Sequence, residues 1–236
     1  MTATYYVGEE LDIFANARNW KRYWASEIGA YVVGDVLEVG AGLGANTEFL
    51  KSSRATSWSC IEPDPELVAR MGLSFASQPL LADCRIQQGT TAVLSSDSSF
   101  DAVLYIDVLE HISDDRAELA RASRLLRPEG VILVLAPAHQ WLYTAFDRSI
   151  GHFRRYDKAG LAAQTPADCR LVRLDYLDSA GLLASLGNLL LLRQAAPTLK
   201  QILFWDRVLV PISRCLDGWT FHTAGKSILA IWQKER

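Results

Sequence analysis

Residues 35–44, DVLEVGAGLG, constrain this chain more than any other stretch. A short apolar run breaks into glycines at alternate positions, Gly40, Gly42 and Gly44, and the helical pattern of residues 45–50 follows. Strand, tight loop and helix in that order place glycine where the backbone needs positive φ. The missing Cβ also lets a ligand approach the main chain closely.

The same order recurs along the chain. Residues 56–64, TSWSCIEPD, read as a strand ending in acids, and residues 65–73 as a helix with proline in its first turn. CRIQQG is a short third strand. FDAVLYIDV is a fourth, apolar nearly throughout, as a strand covered on both faces would be. Residues 114–126, DDRAELARASRLL, form an amphipathic helix, and RPEGVILVLAPA turns through proline and glycine into a fifth strand. CRLVRLDYL and KSILAIWQK supply the sixth and last. Strands alternating with helices predict an open, mostly parallel α/β sheet with right-handed crossovers. Before it, Leu11, Phe14, Trp20, Tyr23, Trp24 and Ile28 recur at helical spacing.

Composition removes several function classes. With 24 basic against 27 acidic residues, the chain has no general attraction to nucleic acid. The longest apolar run has thirteen residues, 180–192, against the roughly 20 that a spanning helix needs. Cys60, Cys84, Cys169 and Cys215 are scattered without metal-ligand spacing and read as reduced, buried small hydrophobes. The N-terminus is not a secretory leader. The expected location is cytoplasmic.

Dinucleotide folds favour GxGxxG, whereas the spacing here is GxGxG behind Glu38. ExGxGxG after the first strand resembles motif I of the class I S-adenosylmethionine-dependent methyltransferases. Glu62 in IEPD resembles the acid with which that family holds the ribose hydroxyls, apt because a carboxylate accepts both hydroxyl hydrogens. The QGTT turn containing Thr90 resembles the adenine-side segment, although the family often has an acid there. IDVLEH resembles the segment that brings Asp107 to the methionine end of the cofactor. The resemblance spans about residues 30–140. It implies a Rossmann-like, seven-stranded, mostly parallel sheet with helices on both faces. It also implies S-adenosylmethionine as cofactor, with S-adenosylhomocysteine as product. The residues implied at the cofactor are Glu38, Gly40, Gly42, Gly44, Glu62, Pro63, Thr90 and Asp107, with Trp20 and Tyr23 from a helical lid. The expected division is a lid over 1–33, a core over 34–178, a helical acceptor-side insertion over 179–225 and a last strand over 226–236.

In such sheets ligands bind beyond the carboxyl ends of the strands, so residues 137–157, after the fifth strand, form the expected acceptor loop. Methyl transfer from a sulfonium is an in-line displacement that needs alignment and, for a hydroxyl or ammonium acceptor, a base. His139 and His152 are the candidates. Arg154, Arg155 and Tyr156 are expected at the acceptor, where an arginine would hold a carboxylate or phosphate. The alternative is that Arg155 pairs with Asp147 or Asp157 and Tyr156 packs beneath the loop. Asp107, Glu110 and His111 invite a metal, as in quinone-precursor O-methyltransferases with E-x-x-E-H, but the expectation is none, with His111 bonded to the following helix. The leucine- and tryptophan-rich insertion, with Arg193, Lys200, Arg207 and Arg214, reads as an acceptor cap; core, a dimer face and a peripheral membrane face stay open. The expected activity is methylation of a small molecule, at an oxygen of an apolar or aromatic metabolite, by a monomer or homodimer. A nucleotide-cofactor oxidoreductase and a non-catalytic partner subunit are the rivals.

Overall fold

The computed structural model describes residues 10–52, 54–95, 98–188 and 197–236. Residues 1–9 of the expected lid, and residues 189–196 of the expected insertion with Arg193, lie outside them. Seven strands form one sheet: β1 Gly34–Val39, β2 Ala55–Glu62, β3 Arg85–Gln88, β4 Phe100–Ile106, β5 Leu126–Pro137, β6 Cys169–Leu177 and β7 Ser227–Lys234. Their order is β3-β2-β1-β4-β5-β7-β6. The first five pair in parallel, while β7 enters antiparallel between β5 and β6. This is the expected mostly parallel sheet, with every predicted strand in place.

Alternate side chains of β4 join two different cores because successive side chains point to opposite faces of the sheet. Ala102, Leu104 and Ile106 of β4 join one core with Val36, Trp58 and Leu133. Val103 and Tyr105 join the other with Leu37, Ile132 and Trp232. Both faces are covered, so β4 must be apolar at nearly every position.

The helices are α1 Glu10–Phe14, α2 Arg18–Ile28, α3 Thr47–Leu50, α4 Pro65–Ala76, α5 Asp115–Arg124, α6 Ala145–Ser149, α7 Lys158–Ala162, α8 Ser179–Gly187, α9 Leu199–Phe204 and α10 Val210–Trp219. A π-helical turn, Trp205–Leu209, joins α9 to α10. Local chemistry starts several of them. Asp64 accepts from the amides of Glu66 and Leu67 ahead of Pro65 in α4, and Asp114 caps α5 through the Ala117 amide.

Buried acids staple the C-terminal helices over the sheet. Asp217 accepts from Tyr23 Oη at 2.7 Å and from the amides of Asp178 and Ser179 at 2.6 and 3.0 Å. Asp178, itself at φ 69°, caps α8 through Gly181 and accepts from Trp205 Nε1 at 2.7 Å and Ser213 Oγ at 2.6 Å. Asp206 accepts from the Trp20 amide at 2.9 Å. Fully bonded carboxylates of this kind hold α2, α8 and α10 in one arrangement, since breaking any contact strands a buried charge.

Candidate active site

The space between the carboxyl ends of the strands and these helices is a cavity of about 700 Å³. That volume suits a small-molecule ligand. One wall is the glycine loop. Gly40 and Gly42 line it at φ 64° and 57°, and a Cβ on Gly42 would meet only Leu11, at 3.7 Å. A Cβ on Gly40 would instead strike Val108 at 2.7 Å. Both positions therefore need glycine, the first for its neighbour and the second for an open backbone. Glu62 lies beneath this loop. Its carboxylate accepts from the Gly42 amide at 2.9 Å and the Asp64 amide at 3.0 Å, which leaves lone pairs on both oxygens.

Asp107 ends β4 in the left-handed region, at φ 55°, and lines the cavity with Trp20 and Lys21. Asp107 is exposed to the cavity, yet the protein packed around it pushes its carboxyl up, against the opposing pull of His152, Lys21 and Lys226. Lys21 is buried and donates to the Phe14 carbonyl at 3.2 Å. Burial lowers its ammonium, with Asp107 the largest opposing charge. Lysine and aspartate side by side present both signs to one end of the cavity.

The opposite wall is a cluster of polar groups. Asp147 of α6 is saturated: Oδ1 accepts from His152 Nδ1 at 3.1 Å and Arg155 Nε at 2.8 Å, and Oδ2 from the Thr144 amide and hydroxyl at 2.8 and 2.9 Å. Burial would raise its carboxyl, but those donors hold it well below the usual range. His152 Nε2 lies 3.8 Å from Glu110 Oε1, and its ring meets His111 edge-on at 4.5 Å. Both Glu110 oxygens are buried without a hydrogen-bond partner among the described residues. Burial, and next the charge of Asp107, push the Glu110 carboxyl well up. Burial lowers His111 to about 4. Ligand atoms of Glu110, His111 and His152 lie within 4.8 Å of one another, a carboxylate and two imidazoles that suit a divalent transition ion.

Of the residues expected at the site, Gly40, Gly42, Asp107, Trp20, His152 and Arg155 line the cavity. Others do not. Gly44, at φ 70°, is required by packing, since a Cβ there would come within 2.3 Å of the Phe75 ring. Tyr23 turns its hydroxyl to Asp217 instead. Glu38 is buried in β1, where Oε2 accepts from Thr47 Oγ1 at 2.7 Å and Trp58 Nε1 at 3.1 Å. Burial pushes it up to about 7. Pro63 is exposed on its loop, and Thr90, also exposed, caps a 3-10 turn through the Ala92 amide.

The acceptor loop is corrected most. His139 bonds the Gly225 carbonyl at 3.0 Å and stacks with Tyr176 and Trp141, away from the cavity. Arg154 pairs with Asp115 at 2.7 Å and donates to the carbonyls of Ile112 and Ser113. Tyr156 is buried with its hydroxyl on Asp115 at 2.8 Å. These two brace the loop against α5. Arg155 lines the cavity but is also paired, with Asp147.

Sequence reasoning missed Lys21 and Lys226. The signal for Lys21 was a lysine among Trp20, Tyr23 and Trp24 on an apolar helix face. Lys226 precedes β7, lines the cavity and sits 4.4 Å over the Trp205 ring, and no carboxylate among the described residues pairs with it within 4 Å. Only the packing of β7 beside β5 brings it there.

A family model described as a methyltransferase domain matches residues 37–134. The ubiquinone biosynthesis O-methyltransferase of Xanthomonas oryzae pv. oryzae (strain PXO99A) is 32% identical over 99 residues, 42% of this chain and 41% of that protein. The demethylmenaquinone methyltransferase of Tropheryma whipplei (strain Twist) is 28% identical over 139 residues, 56% of this chain and 54% of that protein. The chain thus spans about two fifths to about half the length of these curated relatives. Among solved structures, the N-methyltransferase NodS of Bradyrhizobium japonicum WM9, in complex with S-adenosyl-L-homocysteine, superposes with a TM-score of 0.57 at 14% identity. That match covers 93% of this chain and 86% of NodS, and shows a shared fold. Residues 37–134 thus match a methyltransferase domain model, within a fold shared with NodS.

Proposed function

We propose that this chain is an S-adenosylmethionine-dependent methyltransferase acting on a small-molecule acceptor, at an oxygen of an apolar or aromatic metabolite. The observation that carries the reading is that the glycine loop and the Asp147-oriented His152 line one cavity. The curated relatives, named for ubiquinone biosynthesis and for demethylmenaquinone methylation, support an acceptor of that kind. The matching methyltransferase domain, and a fold shared with a structure holding S-adenosylhomocysteine, support the cofactor. Residues up to 33 act as a lid and residues 179–225 as an acceptor-side cap. The four unpaired cysteines suit a cytoplasmic monomer or homodimer.

The residues present fit the cofactor. The backbone at Gly42 is open to it, and Glu62 has acceptor capacity left for ribose hydroxyls. Asp107 and Lys21 complement the ammonium and carboxylate of the methionine end. When bound, the cofactor supplies a methyl group on a sulfonium, already activated to leave. The chain then has to align the acceptor, exclude water and accept a proton. His152 does the last: with Nδ1 donating to Asp147, Nε2, 3.8 Å from Glu110 Oε1, is the basic nitrogen of a ring that lines the cavity. Trp20, Trp205, Ile202 and Phe146 keep water out, and Lys226 holds an anionic oxygen of the acceptor.

A second reading is favoured by the two orphaned Glu110 oxygens: a divalent ion held by Glu110, His111 and His152, acting as a Lewis acid on the acceptor oxygen.

Calorimetry tests the main reading. S-adenosylhomocysteine should bind more tightly than a nicotinamide dinucleotide, and Glu62→Ala should weaken it by about 1.5 to 3 kcal/mol, as for charge-assisted hydrogen bonds. Tighter binding of the dinucleotide would make the chain an oxidoreductase.

A further inference from the structure

The outer face of the long helix α9–α10 lies off the cavity except at Phe204. Phe204, Val208, Ile212 and Leu216 recur on it at four-residue steps, Trp219 ends the helix on the same stripe and Phe221 follows just past it. These six are between 40% and 84% exposed, with Trp219 at 83% and Phe221 at 84%. A stripe of this size costs free energy in water unless something covers it. Exposed Lys200, Arg207 and Arg214 flank it. The only acids between residues 198 and 223 are Asp206 and Asp217, which are 3% and 0% exposed and hydrogen-bonded inward to the Trp20 amide and Tyr23 hydroxyl. This segment therefore shows cations, aromatics and aliphatics but no exposed carboxylate of its own, on a chain whose net charge is −3.

We infer that this face docks on an anionic bilayer surface. Basic side chains beside an apolar stripe, with tryptophan and phenylalanine at one end, are the makeup of a helix lying in the headgroup plane. Among the described residues no helix is long and apolar enough to cross a membrane, so the contact is peripheral. Charge argues against a second copy. In a two-fold contact of this face with itself, Arg207 and Arg214 would meet their own kind with no exposed acid to pair with. The cavity opens beside the face, because Lys200, Gln201 and Phe204 are exposed and also line it. An acceptor dissolved in the bilayer would enter from that side. The inference rests on exposure and charge alone and holds whatever the cavity binds.

Flotation of the full chain with vesicles of phosphatidylcholine alone, or with phosphatidylglycerol added, tests it. Binding should require the anionic lipid and weaken as salt rises. Arg207→Gln with Arg214→Gln should lower partitioning roughly 30-fold, from the usual contribution of a basic residue near such a surface. Trp219→Ser with Phe221→Ser should lower it about 10-fold or more, with the circular dichroism spectrum unchanged. No binding to anionic vesicles at low salt, or binding indifferent to both double variants, overturns the inference. So does light scattering of a dimer that the Trp219 and Phe221 variant dissolves while vesicles leave the protein unbound.

Discussion

The two walls of the cavity are built in different ways. The glycine-loop wall is made of backbone and strand ends: Gly40, Gly42 and Asp107 line it where the adjacent parallel strands β1 and β4 end, with Glu62 of β2 bonded behind the loop. The facing wall is made of side chains drawn from distant elements and fixed by one another, with Asp147 holding His152 and Arg155, and Lys226 arriving from beyond the whole insertion. The first wall tolerates little change in shape, because its geometry is that of glycine backbone. The second tolerates little change in charge, because each buried ion depends on its neighbours. An enzyme family can keep the first and rebuild the second for new acceptors.

Three substitutions sharpen that contrast. The largest effect is expected at His152→Ala, which should lower turnover by about 10² or more while S-adenosylhomocysteine affinity stays unchanged, since general-base groups act in the chemical step. A fully active variant would leave the loop a structural role. The same variant decides the second reading of the cluster: equilibrium dialysis against zinc should show one tightly held ion in the wild type and none in the variant if Glu110, His111 and His152 ligate it. Next, Lys226→Met should raise the acceptor KM about 10-fold or more with kcat little changed, the mark of a group that binds ground and transition states alike. A change confined to kcat would move Lys226 from acceptor binding to the chemical step.

The smallest effect belongs to stability, on the glycine-loop side. Burial raises Glu38 to about 7, so the folded protein favours its neutral form. Above the ordinary carboxylate range the folded state then binds more protons than the unfolded one, and stability falls as pH rises toward 7. Glu38→Gln keeps an acceptor for Thr47 and Trp58 and removes that penalty. In ligand-free protein it should therefore be more stable than wild type above pH 7, by at most about 3 kcal/mol, with the difference vanishing below about pH 4. Denaturant midpoints at several pH values would check this, and a difference independent of pH would show that Glu38 is not carrying a buried charge.

All seven strands were legible, because strand and helix periods and the glycine loop are local signals. Gly40, Gly42 and Asp107 were legible for the same reason. Gly44 and Glu38 belong to the same motif yet serve packing, since sequence spacing cannot tell which side of the loop a residue faces. In IGHFRRYD, residues 150–157, five charged or titratable side chains sit within six positions, and nothing local separates them. The loop's path sends Arg154 and Tyr156 down to Asp115 and turns His152 toward Glu110. His139, an equal candidate by type, is held by Gly225 and Tyr176 on the far side.

The sequence by itself determined the parallel sheet and the loop that opens its backbone at the strand ends, because these follow from periodicity and from glycine's freedom at positive φ; the ligand came only from the family resemblance of that loop. The tertiary structure alone decided which charges face the cavity. A charged side chain's role depends on which partner reaches it first, and those partners, Asp115, Asp147 and Asp217, come from elements 30 or more residues away or from the next turn of the same loop with equal ease.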